Sequence, residues 1–155
     1  AKIAPFEAWL ILRSLRTLPI RMKAHQENAQ KIATWLDKHP KVDRVHYVGM
    51  KSFPQYALAC RQMSGFSGLM SFELATKDIE KIKGFVNELT LFKLGVSWGG
   101  HDSLVYAPVI SYLKELRKEQ FEALGIVEGL IRISIGLEHP DDLIEDLSQS
   151  LDKHI

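Results

Sequence analysis

Two stretches of the chain place polar groups where they could do chemistry. Ile131, Ile133, Ile135 and Leu137 alternate with Arg132, Ser134 and Gly136. Phe92, Leu94, Val96 and Trp98 alternate with Lys93, Gly95 and Ser97, ahead of a Gly99-Gly100 pair. Period-two patterning predicts strands with one apolar face and one different face. An arginine between isoleucines needs an anionic partner, because a buried unpaired charge is very costly. Its planar guanidinium matches a carboxylate with two parallel hydrogen bonds. Paired glycines let a ligand or a neighbouring chain approach the backbone. Arg132 and Ser97 therefore read as a carboxylate-binding site. A competing reading pairs Arg132 with Glu138 or Glu73 at the sheet edge, and the residues alone do not choose between the two. Trp98 reads as core by default, and as a pocket wall if Arg132 is functional.

Other reactive side chains point to less. The six histidines, at 25, 39, 46, 101, 139 and 154, form no H-x-x-x-H or H-E-x-x-H pair, so no metal site is expected. His101, Asp102 and Ser103 are chain neighbours, and adjacent residues cannot take up a triad's spatial geometry. Gly65-Phe66-Ser67-Gly68 leads into a strand, whereas a phosphate cradle needs a helix N-terminus. Cys60, beside Arg61, reads as packing rather than as a nucleophile. The mixed-charge runs Lys77–Lys83 and Lys114–Glu119 read as solvated helix faces.

The elements that must position these groups follow from periodicity. Residues 6–38 read as a long helix with Trp9, Leu12, Leu15 and Leu18, then Met22, Ala29, Ile32, Ala33 and Leu36, on one stripe. Pro19 should kink or split it, and His39-Pro40 should end it. Four strands are expected: Val42–Val48, Leu69–Leu74, Phe92–Trp98 and Ile131–Leu137. Helices are expected over 77–89, with Thr76 as N-cap, and over 140–153, opened by Pro140, Asp141 and Asp142. Shorter helices are predicted near 54–62 and 114–124. The whole is a two-layer α/β (α+β) sandwich with a mainly antiparallel four-stranded sheet and helices on one face. Residues 1–155 read as a single domain, with its α/β core over 42–155.

Composition bounds the function. A chain of 155 residues, 46% hydrophobic and carrying a net charge of +1, can build a full core and is not disordered. One cysteine excludes a disulfide framework. No apolar run has the roughly 18–20 residues a membrane span needs, and Ala1–Pro5 has no signal-peptide character. Twenty basic against nineteen acidic side chains give no electrostatic case for nucleic acid or an anionic membrane. A soluble cytoplasmic domain is expected.

Three spaced words carry a resemblance. Arg61 to Leu74 reads RQMSGFSGLMSFEL, Ser97 to Leu104 reads SWGGHDSL, and Leu130 to Glu138 reads LIRISIGLE, with Asp142-Leu143 following. Together with His25–Ala29 and His39–Val42 they resemble, in order and over nearly the whole chain, the C-terminal portion of the Cys/Met-metabolism pyridoxal-phosphate-dependent (trans-sulfuration) enzymes. These include the cystathionine beta-lyases, cystathionine gamma-lyases and methionine gamma-lyases. The resemblance implies the small domain of the aspartate-aminotransferase-like fold type I. It also implies a carbon–sulfur lyase acting on a sulfur amino acid, in which Arg132 binds the substrate α-carboxylate and Ser97 lies beside it. Trp98 is similar to the tryptophan of the cystathionine beta-lyases, whereas Val96 departs from the tyrosine of some of them and from the glutamate typical of the cystathionine gamma-lyases, and is similar to the valine that methionine gamma-lyases can carry there.

The S-x-T-K word of the cofactor lysine is not found. Ala75-Thr76-Lys77 is similar but sits at a strand-to-helix junction, and Lys77 reads as a solvated first-turn residue. The resemblance therefore implies pyridoxal phosphate in a longer parent enzyme, none bound by this chain alone, an N-terminal cofactor-binding domain as partner, and a homotetrameric parent. A stand-alone amino-acid-binding or regulatory module, and a purely structural domain, are the alternatives.

Overall fold

The structure is a computed structural model and describes residues 2–112 and 118–155. Twelve elements are described. In chain order they are α1 (Pro5–Leu15), α2 (Leu18–Leu36), β1 (Val42–His46), α3 (Tyr56–Gln62), β2 (Leu69–Leu74), α4 (Ile79–Glu88), β3 (Lys93–Leu94), β4 (Leu104–Tyr106), α5 (Pro108–Tyr112), α6 (Lys118–Ala123), β5 (Leu130–Ser134) and α7 (Pro140–His154). The sheet has five strands in the order β1-β2-β5-β4-β3. All neighbours are antiparallel except β3 and β4.

Alternation in β2 and β5 sorts the two faces as the sequence predicts. Met70, Phe72 and Leu74, with Ile131 and Ile133, are buried beside Val105 of β4. Helices α2, α4 and α7 supply the second layer, burying Ile32 and Leu36, Ile82 and Phe85, and Leu143, Leu147 and Leu151. The opposite face carries one row set by strand register, in which His46 pairs with Ser71, Ser71 with Arg132, and Arg132 with Tyr106.

The expected four strands become five, and the third differs most. The ladder expected over Phe92–Trp98 shrinks to Lys93–Leu94. Only Phe92 of the four apolar residues is buried, while Leu94, Val96 and Trp98 are exposed. The extra strand, β4, has three residues, too few to register as a period-two pattern. It nonetheless takes the place beside β5, and β3 is left as a short edge on its far side.

The helices also shift in detail. Pro19 falls in the first turn of α2, where its missing N–H costs nothing, so the chain breaks into two helices there. The apolar stripe is buried only from Ala29 onward, and α1 buries no residue at all. Helix α4 starts at Ile79 rather than 77, because Asp78 and not Thr76 is the N-cap: its Oδ1 accepts from Glu80 N at 2.9 Å. Lys77 lies just before the helix and is exposed. The helix expected over 114–124 starts on residues outside the described ones; its described part is α6, and α5 precedes it. No helix among the described residues is long and apolar enough to cross a membrane.

Candidate functional site

Strand β5 presents Arg132 on the open face because its neighbours Ile131 and Ile133 take the buried one. The guanidinium lies over the Tyr106 ring, 5.1 Å from its centroid, and 5.8 Å from that of Trp98. One amino group, Nη2, donates to the Val96 carbonyl at 2.6 Å and reaches the Ser97 carbonyl at 3.5 Å. Aromatic faces attract a guanidinium and hold its plane. The two carbonyls fix one edge of the fork, which leaves Nε and Nη1 without a protein acceptor among the described residues.

The competing ion pairs do not form. Glu73 is bonded across the strands to His46 at 2.5 Å. Glu138 accepts from Ser103, through Oε1 from the main-chain N–H at 2.7 Å and through Oε2 from the hydroxyl at 2.8 Å. No carboxylate among the described residues pairs with Arg132.

Ser97 and Trp98 sit where the chain leaves the short β3. Ser97 meets Arg132 through its main-chain carbonyl and not through its hydroxyl. Trp98 is 63% exposed, so the default of core packing is overturned. It walls a cleft of about 280 Å³ together with Met22, His25, Leu69, Gly99 and Ser134. Gly99 adopts a left-handed conformation, φ +79°, that favours glycine, and its N–H donates to the Ser134 hydroxyl at 3.1 Å. The floor of the cleft is anchored from below. His25 is buried and its Nδ1 lies 2.7 Å from the Ile135 carbonyl. Tyr47 donates to the Ser67 carbonyl at 2.9 Å. Burial pushes the Tyr47 hydroxyl up to about 12, so it stays a neutral donor.

The other sequence candidates stay apart from this site. His101 and Asp102 pair with each other on the surface, whereas Ser103 is fully buried on Glu138, so the three form no relay. Cys60 is exposed on α3. No cluster of three metal-ligating side chains exists among the described residues. Three residues of the site were not singled out from sequence. Tyr106 lies on the unrecognised strand β4, and His25 and Asn28 lie on α2, more than 100 residues from the carbonyls they reach. Glu138 was considered, but with the wrong partner.

Comparison with known proteins adds the context of this arrangement. Residues 1–152 match the family described as Cys/Met metabolism PLP-dependent enzyme. A cystathionine beta-lyase of Lactococcus lactis subsp. cremoris is 42% identical over 153 residues, which are 99% of this chain and 40% of that protein. A cystathionine gamma-lyase of Dictyostelium discoideum is 43% identical over 150 residues, 97% of this chain and 38% of that one. A solved structure of cystathionine gamma synthase from Xanthomonas oryzae pv. oryzae, in complex with cystathionine, matches with a TM-score of 0.86 at 42% identity. It covers 97% of this chain and 39% of that one. The chain thus spans about two fifths of the length of the curated relatives it matches.

Proposed function

Since the chain belongs to the Cys/Met-metabolism, pyridoxal-phosphate-dependent enzymes, we propose that it serves as the C-terminal, substrate-binding domain of a longer carbon–sulfur lyase, with Arg132 as the anchor of the substrate α-carboxylate. The observation that carries this reading is an arginine placed on the open sheet face with aromatic rings on its guanidinium and no carboxylate partner among the described residues. A free carboxylate meeting Nε and Nη1 side by side would make two charge-assisted bonds. That fixes the carboxylate plane, and with it the direction in which Cα leaves the anchor. Trp98 then limits how the rest of the amino acid can turn. A sulfur amino acid such as cystathionine suits a site bounded by Trp98 and Met22, because thioethers pack well against aromatic and polarisable groups.

The residues around Arg132 do not fit pyridoxal phosphate itself. That cofactor needs a lysine for its aldehyde and an acid for its ring nitrogen. The cleft that Trp98 shares with Ser134, which Arg132 does not line though its guanidinium meets the Trp98 ring, is lined by neither a lysine nor a carboxylate. We therefore assign this chain the orientation of the amino acid and derive no chemical step from it. The cofactor-holding groups, and the contacts of a homotetramer, belong in this reading to the remainder of the longer enzyme.

Three measurements test it. The visible spectrum of the 155-residue chain with added pyridoxal phosphate, before and after borohydride, should show no stoichiometric adduct on any single lysine. Such an adduct, on Lys77 or another, would mean that the chain holds the cofactor itself. In the longer enzyme, Arg132→Ala should lower kcat/KM by roughly a hundred- to a thousand-fold, the value of a charge-assisted pair worth about 3–4 kcal/mol. A loss under about threefold would reject the carboxylate role. Tight binding of cystathionine or methionine by the chain alone would favour a stand-alone binding module instead.

A further inference from the structure

The segment from Val96 to Gly100 carries Ser97 and Trp98, yet no main-chain bond to another main-chain group ties it to the sheet. It is held instead from one stretch of chain, the end of β5 and the turn into α7. Arg132 holds Val96, the Ser134 hydroxyl holds the Gly99 N–H, and Glu138 holds Ser103 at two points. Ser103 is fully buried, and its hydroxyl oxygen also accepts from the Gly136 N–H at 2.8 Å. The Leu137 N–H donates to the His101 carbonyl at 2.8 Å. Contact is so close that a Cβ on Gly136 would overlap the His101 carbonyl and the Glu138 carboxylate. The Glu138 backbone is itself fixed from α2, where Asn28 Nδ2 donates to the Glu138 carbonyl at 3.0 Å.

We propose that Glu138 is a positioning residue of the carboxylate site: through Ser103 it sets where Ser97 and Trp98 stand relative to Arg132, without touching substrate. The inference rests on the reading of Arg132 as the carboxylate anchor. The carboxylate is the acceptor for both donors of a buried serine, whose own carbonyl accepts from the Lys93 N–H at 2.9 Å. Replacing it with an amide puts an NH2 opposite one of those donors and loosens that end of the segment, which the main-chain bonds of His101 and Ser103 still tether. Gly99 and Gly100, whose added Cβ atoms would meet nothing within 4 Å, then give it room to swing. Trp98 and the Ser97 carbonyl move with it, while Arg132 stays on its strand. Looser placement weakens ground-state holding of the amino acid more than it alters the reacting bonds.

The test compares Glu138→Gln, Ser103→Ala and the double variant in the longer enzyme, with Arg132→Lys as reference. Each single variant should raise KM about tenfold, the value of one well-placed hydrogen bond, with kcat within about threefold. The double variant should add almost nothing, because both act through one link. In the 155-residue chain, the Gly99 amide should exchange faster with solvent in both single variants. A KM unchanged in Glu138→Gln while Arg132→Lys raises it overturns the positioning role and leaves the anchor standing. A KM unchanged in Arg132→Lys overturns the anchor and the inference with it. Additive effects in the double variant, or an unaltered Gly99 amide, would mean that Glu138 supports the fold alone. If Glu138→Gln does not fold, Ser103→Ala carries the same comparison.

Discussion

Asp146→Asn tests how the chain is steered toward the site. Asp146 lies on α7, only 5% exposed. Its carboxylate accepts from Thr90 N at 2.9 Å, Thr90 Oγ1 at 2.7 Å, Leu91 N at 2.9 Å and Phe92 N at 3.3 Å. It thereby closes the turn that launches β3 and, beyond it, Ser97 and Trp98. Burial by itself would raise the pKa of this group. The donors on Thr90, Leu91 and Phe92 outweigh burial and hold it below the ordinary 3.8. Asparagine keeps the size but loses the charge, and it turns an NH2 toward donors that need an acceptor. Two of the four bonds go, each worth about 1.5–3 kcal/mol to a charged acceptor, and water reaching the exposed Thr90 recovers part of that. The expected loss is about 2–4 kcal/mol, out of a total stability of about 5–15 kcal/mol for a domain. Urea unfolding of both proteins near pH 7 and near pH 3 measures it. Because the folded-state pKa is depressed, the contribution is fully present above the unfolded value of 3.8 and is lost as pH falls through the folded one. The gap between the two proteins should therefore be widest near neutrality and narrow in acid. A gap under about 0.5 kcal/mol near neutral pH, or one that does not narrow in acid, would refute the reasoning.

Three further outcomes follow from packing. Phe72→Ala removes a fully buried ring set edge-on to Phe85 at 6.3 Å, and denaturant unfolding should show a loss of about 3–5 kcal/mol. Gly129→Ala places a Cβ 2.6 Å from the Leu74 carbonyl and 2.8 Å from that of Thr76, both main-chain atoms; thermal melting should show a cost of about 1–3 kcal/mol, whereas Gly95→Ala, which meets only a Leu104 side chain at 3.6 Å, should cost far less. Helix α1 leaves Phe6, Trp9 and Leu12 exposed, so the isolated chain should self-associate with rising concentration. Trp9→Glu with Leu12→Lys should reduce that in sedimentation without lowering stability, and an unchanged sedimentation profile would count against it.

What could be read from the sequence depended on how local the determining contacts are. The patterns of β2 and β5 were legible because each strand's own residues alternate strictly and one face is buried. Arg132 was legible for the same reason, as the exception on an apolar strand. The pattern at Phe92–Trp98 misled because its apolar residues past Phe92 face the site and solvent rather than the core. Strand β4 escaped because its three residues are fixed by pairing with β5, not by a pattern of their own. Glu138 was visible as a charge, but its partner Ser103 is 35 residues away, and no local rule links them. The break at Pro19 was foreseen, whereas the change from exposed α1 to buried α2 depends on what packs against each.

The strand order carries a consequence for how such a sheet is made. Its central strand, β5, comes last in the chain, while its left-hand neighbour β2 comes second. A ribosome adding about 5–20 residues per second needs roughly 3–13 s to pass from Leu69 to Ser134. During that interval the β1–β2 pair shows an unpaired edge and a bare apolar face with Met70 and Phe72 on it. The nascent chain is therefore exposed to edge-to-edge pairing throughout that interval. Chains that stop short of Leu130 lack the strand that fills the gap between β2 and β4.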